Sequence, residues 1–155
     1  MKSRTRRSSV LLKAAGLLAG LLLAAPALAA DFRSIGENGA VLYDAPSVKA
    51  KKLFVAPRYY PVEVMVSVDN WIKVRDTAGD LTWVERKALS DKRTVVVTAP
   101  VAEVREGPNE HSGVSFRAQR GVALDLTEIG ADGWAKVRHR DGQTGYIRIN
   151  AVWGL

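Results

Sequence analysis

After residue 30 the apolar positions fall in short alternating bursts. Residues 62–68 (VEVMVSV) place valine at every second position, which sets Val62, Val64, Val66 and Val68 on one face of a strand. Residues 123–129 (ALDLTEI) are a weaker version of the same pattern, and residues 94–98 (TVVVT) form a β-branched run. Asp141-Gly142 lies between two β-rich segments and marks a hairpin, because such a turn needs positive φ; Ala78-Gly79-Asp80 serves the same purpose earlier. Gly145, one residue before Tyr146, marks a bulge or a place where another backbone comes close. No stretch after residue 30 sustains a helical period, although Ala88-Leu89 and Ala151-Val152 can each end a single helical turn. Many short strands joined by Gly and Pro turns predict an all-β fold, a small barrel or sandwich.

The pattern occurs twice. Residues 70–86 (NWIKVRDTAGDLTWVER) and 133–149 (GWAKVRHRDGQTGYIRI) align at an offset of 63, pairing Trp71 with Trp134, Lys73 with Lys136, Arg75 with Arg138, Gly79 with Gly142 and Trp83 with Tyr146. Upstream, residues 41–47 (VLYDAPS) answer 103–109 (EVREGPN) at an offset of 62, and the one-residue slip falls in the turn before each tryptophan. Loops tolerate insertions, so an ordered series of matches around such a slip indicates a duplicated unit. The predicted organisation is a leader over 1–30, a first repeat over 31–92 and a second over 93–155. Only "SDKR" separates Leu89 from Thr94, so the repeats should be held close.

The first 30 residues differ in kind. Lys2, Arg4, Arg6, Arg7 and Lys13 precede an apolar run ending at Ala27-Leu28-Ala29, with no acidic residue before Asp31. This is the pattern of a secretory signal peptide cleaved after Ala29 or Ala30. The expected location is periplasmic or secreted, with no membrane attachment after cleavage. The leader also carries five of the 23 Lys and Arg residues, leaving 18 against 16 Asp and Glu, a net charge of about +2. A nucleic-acid binder needs a broad cationic patch, and only Lys49, Lys51 and Lys52 cluster; nucleic acid is set aside. The chain has no cysteine, so neither disulfides nor a lipidated cysteine are available. Units of about 60 residues bury only about 60% of their unfolded surface, so two in tandem gain by packing together.

Residues 104–109 (VREGPN), 133–138 (GWAKVR) and 142–147 (GQTGYI) together resemble the bacterial SH3-like domain family, with its VRxGP opening, central GWxKV and closing G-x-x-G-aromatic-aliphatic hairpin. The first repeat is similar but departs at Tyr43, Ala45, Asn70 and Thr82. The resemblance implies two tandem SH3-like β-barrels of five to six strands. It also implies a non-catalytic binding module for cell-wall peptidoglycan, or an interaction adaptor for a cell-envelope protein.

Little else suggests chemistry. Without cysteine there is no thiolate nucleophile. His111 and His139 lack metal-ligand spacing, and no G-x-S-x-G or Gly-rich phosphate loop occurs. The expectation is no enzyme, no cofactor and no metal. Aromatic side chains offer flat contact area for a sugar or peptide, and arginines offer charge-assisted hydrogen bonds to stem-peptide carboxylates. Trp71 and Trp134, each opening a central strand, read as core. If Val84 and Ile147 face inward, Trp83 and Tyr146 face out; Arg138 likewise alternates with inward Val137. The candidate ligand-binding residues are Tyr43, Trp83, Arg105, Arg138 and Tyr146, with the second repeat, which keeps the family pattern better, as the stronger site. Trp153 lies beyond the matched repeat, where it either clamps onto the other copy or forms an exposed patch.

Overall fold

The computed structural model describes residues 30–36 and 38–155; the expected leader, apart from Ala30, lies outside the described residues. The first repeat contains β1 (Phe32–Ile35), β2 (Ala40–Tyr43), β3 (Lys52–Ala56), β4 (Pro61–Val68), β5 (Trp71–Arg75), β6 (Leu81–Glu85) and β7 (Leu89–Ser90). The second contains β8 (Thr94–Val97), β9 (Val101–Arg105), β10 (Val114–Gln119), β11 (Ala123–Ile129), β12 (Trp134–Arg138), β13 (Thr144–Arg148) and β14 (Val152–Trp153). Single 3-10 turns, Arg86–Ala88 and Ile149–Ala151, stand where the Ala-Leu and Ala-Val pairs predict them.

Each repeat is one antiparallel sheet, ordered β3-β2-β6-β5-β4-β1-β7 and β10-β9-β13-β12-β11-β8-β14. The orders are identical, so the duplication read in the sequence is a duplication of topology. Seven flat strands would span roughly 29 Å from first to last at about 4.8 Å each. Yet Ile35, Leu42, Ala56, Val62, Val74 and Val84, drawn from six of the seven strands, form one buried cluster. Val95, Val104, Ala118, Leu124, Val137 and Ile147 do the same in the second repeat. Each sheet therefore curls around its own core. There are seven strands where five to six are expected, because β7 and β14, of two residues each, add to β1 and β8.

The alternation in β4 holds only for its first half. Val62 is fully buried, but a bulge between Val64 and Val66 reverses the phase, and the β4–β5 hairpin projects past the core. Met65, Val66 and Val68 are consequently exposed. An equivalent bulge falls between Leu126 and Glu128 in β11.

Gly145 is a close-approach glycine: a Cβ there would lie 2.5 Å from Arg105 O and 2.7 Å from Val104 Cγ1. It lets β13 meet β9. At the hairpin tips, Gly79 and Gly142 adopt φ of 92° and 98°, as the turn requires.

The repeats are fastened to each other. The Phe32 and Trp153 rings meet edge to face with centroids 4.9 Å apart, so the last strand of the chain grips the first. Thr94, buried at the start of β8, donates its hydroxyl to Tyr59 O at 2.7 Å. The connector is tied to both sides: Asp91 pairs with Arg33 of the first repeat, while Lys92 pairs with Asp125 of the second at 2.9 Å and Arg93 donates to Gly154 O of the second at 3.1 Å. Trp153 is thus the clamp, one of the two roles open to it in the sequence.

Two stability outcomes follow. Gly145→Ala should cost about 1–3 kcal/mol, as overpacking against backbone does, measured by urea unfolding; an unchanged midpoint would contradict the close approach. Trp153→Ala should cost about 2 kcal/mol and split one thermal transition into two, followed by calorimetry. A single transition of undiminished sharpness would mean that the clamp does not couple the repeats.

Candidate functional site

The paired hairpins carry the same outer-face contacts in both repeats. Lys73 stands opposite Trp83 on neighbouring strands with Nζ 5.7 Å from the ring centroid; Lys136 stands opposite Tyr146 at 5.8 Å. Val84 and Ile147 are fully buried, and by alternation Trp83 and Tyr146 lie half-buried on the outer face. The lysine of Lys-Val-Arg recurs because it covers the aromatic. Its arginine recurs for a second cross-strand contact. Glu63 lies opposite Arg75, with Oε2 2.5 Å from Nη2, and Asp125 lies opposite Arg138, with Oδ2 3.5 Å from Nη2.

Tyr43 and Arg105 occupy equivalent positions, opposite Trp83 and Tyr146 respectively. The structure therefore joins four of the five candidates into two matching pairs, Tyr43–Trp83 and Arg105–Tyr146. The members differ in what remains available. Tyr43 is buried and packs edge-on against Trp71, with centroids 5.3 Å apart. Arg105 donates to Ser112 O at 2.8 Å and to Glu103 Oε2 at 2.6 Å, so it braces the loop between β9 and β10. Trp83 and Tyr146 stay half-buried. Trp134 is buried beneath the Arg148 guanidinium, 4.3 Å from its ring centroid; Trp71 is half-buried.

Arg138 stands apart from this group. Its carboxylate partner, Asp125, is shared with Lys92 of the connector, so Arg138 belongs to the junction between repeats. Sequence reading did not single out Arg58, Lys92 or Arg140, which line the same junction. They come from three separated loops, and no spacing signal links them.

His139 sits beside this junction. Its ring lies 5.9 Å from Phe116, and Nδ1 is 2.9 Å from Asp141 Oδ1. The Asp141 carboxyl is held down at about 2, from an ordinary 3.8, chiefly by the Gln143 backbone N–H at 3.0 Å and then by the His139 side chain. No group of three or more His, Cys, Asp or Glu side chains able to hold a metal occurs among the described residues.

The fold is a duplicated small β-barrel with an aromatic outer face. A family model described as the bacterial SH3 domain matches residues 36–91 and again 98–154. The chain belongs to the bacterial SH3 domain family, as a tandem pair. Among curated proteins, none matches. Solved structures with some likeness include NlpC1 from Trichomonas vaginalis (15% identity, 80% of this chain and 45% of that one, TM-score 0.35). NlpC2 from Trichomonas vaginalis (15%, 81% and 48%, TM-score 0.36) and an NlpC/P60 family protein from Bacillus cereus ATCC 10987 (18%, 79% and 56%, TM-score 0.37) are similar to the same degree. The chain spans about half the length of these proteins.

Because the folded value for Asp141 lies below that of the unfolded chain, its stabilisation is complete above 3.8 and is lost as pH falls through about 2. A carboxyl-carbon NMR titration should place the Asp141 midpoint near 2 and shift it upward in His139→Ala; a midpoint near 3.8 would refute the arrangement.

Proposed function

We propose that this protein is an exported, non-catalytic binding module that recognises cell-wall peptidoglycan through the outer faces of its two barrels. The observation that carries this reading is the recurrence of a half-buried aromatic under a lysine, Trp83 with Lys73 and Tyr146 with Lys136. A barrel does not need an aromatic on its solvent side to fold, whereas a flat ring beside a cation suits the sugar faces and peptide groups of the wall. The family assignment supports a binding role, and the leader supports export to the compartment where the wall lies.

One observation favours a second reading, an adaptor for a cell-envelope protein. The edge strand β3 leaves Leu53, Phe54 and Val55 exposed at 41%, 43% and 68%, whereas its counterpart β10 carries Arg117, paired with Glu103 at 2.9 Å. An apolar edge of this kind accepts an added strand from another chain.

Protein expressed from the full coding sequence, incubated with isolated peptidoglycan and sedimented across a salt series, distinguishes the two. Wall recognition gives saturable retention that survives salt and falls about tenfold or more in Tyr146→Ala, as loss of a binding aromatic does. Retention lost in Trp83→Ala but not in Tyr146→Ala would move the main site to the first repeat. No retention, or retention that vanishes with salt, would overturn wall binding and leave the adaptor.

A further inference from the structure

The junction between the repeats encloses a cavity of about 400 Å³ that neither barrel forms alone. Arg58 reaches it from the loop before β4, Lys92 from the connector, and Asp125, Arg138, His139 and Arg140 from the second repeat. Counting His139 as neutral, four cations face one carboxylate, an excess of three. Residues 31–155 together carry 18 cations and 16 acids, so outside the cavity the surface is on balance slightly negative. The net positive charge of residues 31–155 is accounted for by this one place.

The cations are unequal in their commitments. Asp125 takes Lys92 at 2.9 Å and Arg138 at 3.5 Å. Among the described residues, Arg58 and Arg140 form no ion pair, and the Arg58 guanidinium lies 5.7 Å from the Tyr59 ring centroid. The corresponding place in the first repeat is balanced, with Glu63 bound to Arg75 alone. Like charges gathered in a cleft repel each other and raise the local concentration of anions. Contacts across the junction also position Tyr59 at the cleft. Tyr59 holds a left-handed φ of 66°, its N–H donates to Ile35 O at 2.8 Å, and its carbonyl accepts the Thr94 hydroxyl. Its ring lies 4.6 Å from Lys92 Nζ, so a residue bonded across the junction also contacts two of the cations, Lys92 and Arg58.

From this geometry we infer that the inter-repeat cleft is a binding site for a short peptide carrying two or more carboxylates, held by Arg58 and Arg140 from opposite repeats. Guanidinium groups match carboxylates through paired, charge-assisted hydrogen bonds. A cavity of this volume lies in the range that takes a small organic ligand rather than a lone phosphate, and the small residues Ala123 and Gly142 form part of its wall. The inference deepens the wall-binding reading and rests on it only for the source of the peptide, an acidic stem of peptidoglycan.

Calorimetric titration of the protein expressed from the full coding sequence tests this with four probes: soluble muropeptides, the same muropeptides with amidated carboxyls, citrate, and inorganic phosphate. Muropeptides should bind, amidation should abolish binding, and Arg58→Gln and Arg140→Gln should each weaken it about tenfold, as loss of one charge-assisted contact does. Lys49→Gln, which removes an equal charge away from the cleft, should change nothing. Unchanged melting of the arginine variants shows that they fold. Muropeptide binding that ignores both arginines overturns the cleft site and leaves wall recognition standing. Citrate binding that depends on both arginines, without muropeptide binding, supports the carboxylate site and overturns the wall as its source. Phosphate binding tighter than citrate or muropeptide overturns the carboxylate assignment.

Discussion

A sheet of about sixty residues has one face to bury and only itself to bury it against. Without cysteine or a helix among the described residues to cover it, each repeat must curl until its own strands meet, and the recurring inward and turn residues serve that closure. The inward valines and isoleucines fill the enclosed space. The Gly and Asp turns at positive φ reverse the chain tightly enough for neighbouring strands to stay in register. Gly145 removes the one side chain that would hold β13 away from β9. The first repeat places Thr82 there, buried and with its hydroxyl unpaired, a less favourable solution to the same crossing.

Closure settles the inner face and leaves the outer face free to differ. Both barrels keep a lysine over an aromatic and an acid opposite an arginine, so these outward contacts belong to the hairpin. What distinguishes the repeats lies around them. The first exposes an apolar edge at β3 and fills its opening position with buried Tyr43; the second places Arg105 at that position and ties it into its loop. Duplication therefore supplied two copies of one scaffold whose surfaces then diverged, which is how one fold comes to carry different binding sites.

The small cores also account for the junction. Each barrel gains from the other, and the Phe32–Trp153 contact, the Thr94 hydroxyl and the Lys92–Asp125 pair hold the two together. A cleft formed by such a junction is lined from both barrels. Its charge comes from residues that serve neither core, and the junction is where a function belonging to the pair, and to neither copy alone, can reside.

Much of the fold was legible in the sequence because strand alternation, turn glycines and an ordered repeat each follow from local sterics. The duplication, the hairpins at Gly79 and Gly142, the close approach at Gly145 and the outward Trp83 and Tyr146 could all be read residue by residue. The exposure of Val66 and Val68 could not, because a bulge reverses the phase of a strand without leaving a mark in the pattern. The candidate site divides in the same way. Pairing of Tyr43 with Trp83 and of Arg105 with Tyr146 depends on strand order, and the burial of Tyr43 on sheet curvature. The gathering of Arg58, Lys92, Arg138 and Arg140 depends on how one barrel sits against the other. The sequence by itself determined the barrel and its duplication, since those rest on contacts between near neighbours and matched positions. Only the tertiary structure decided which charges meet, since that depends on the approach of residues far apart in the chain.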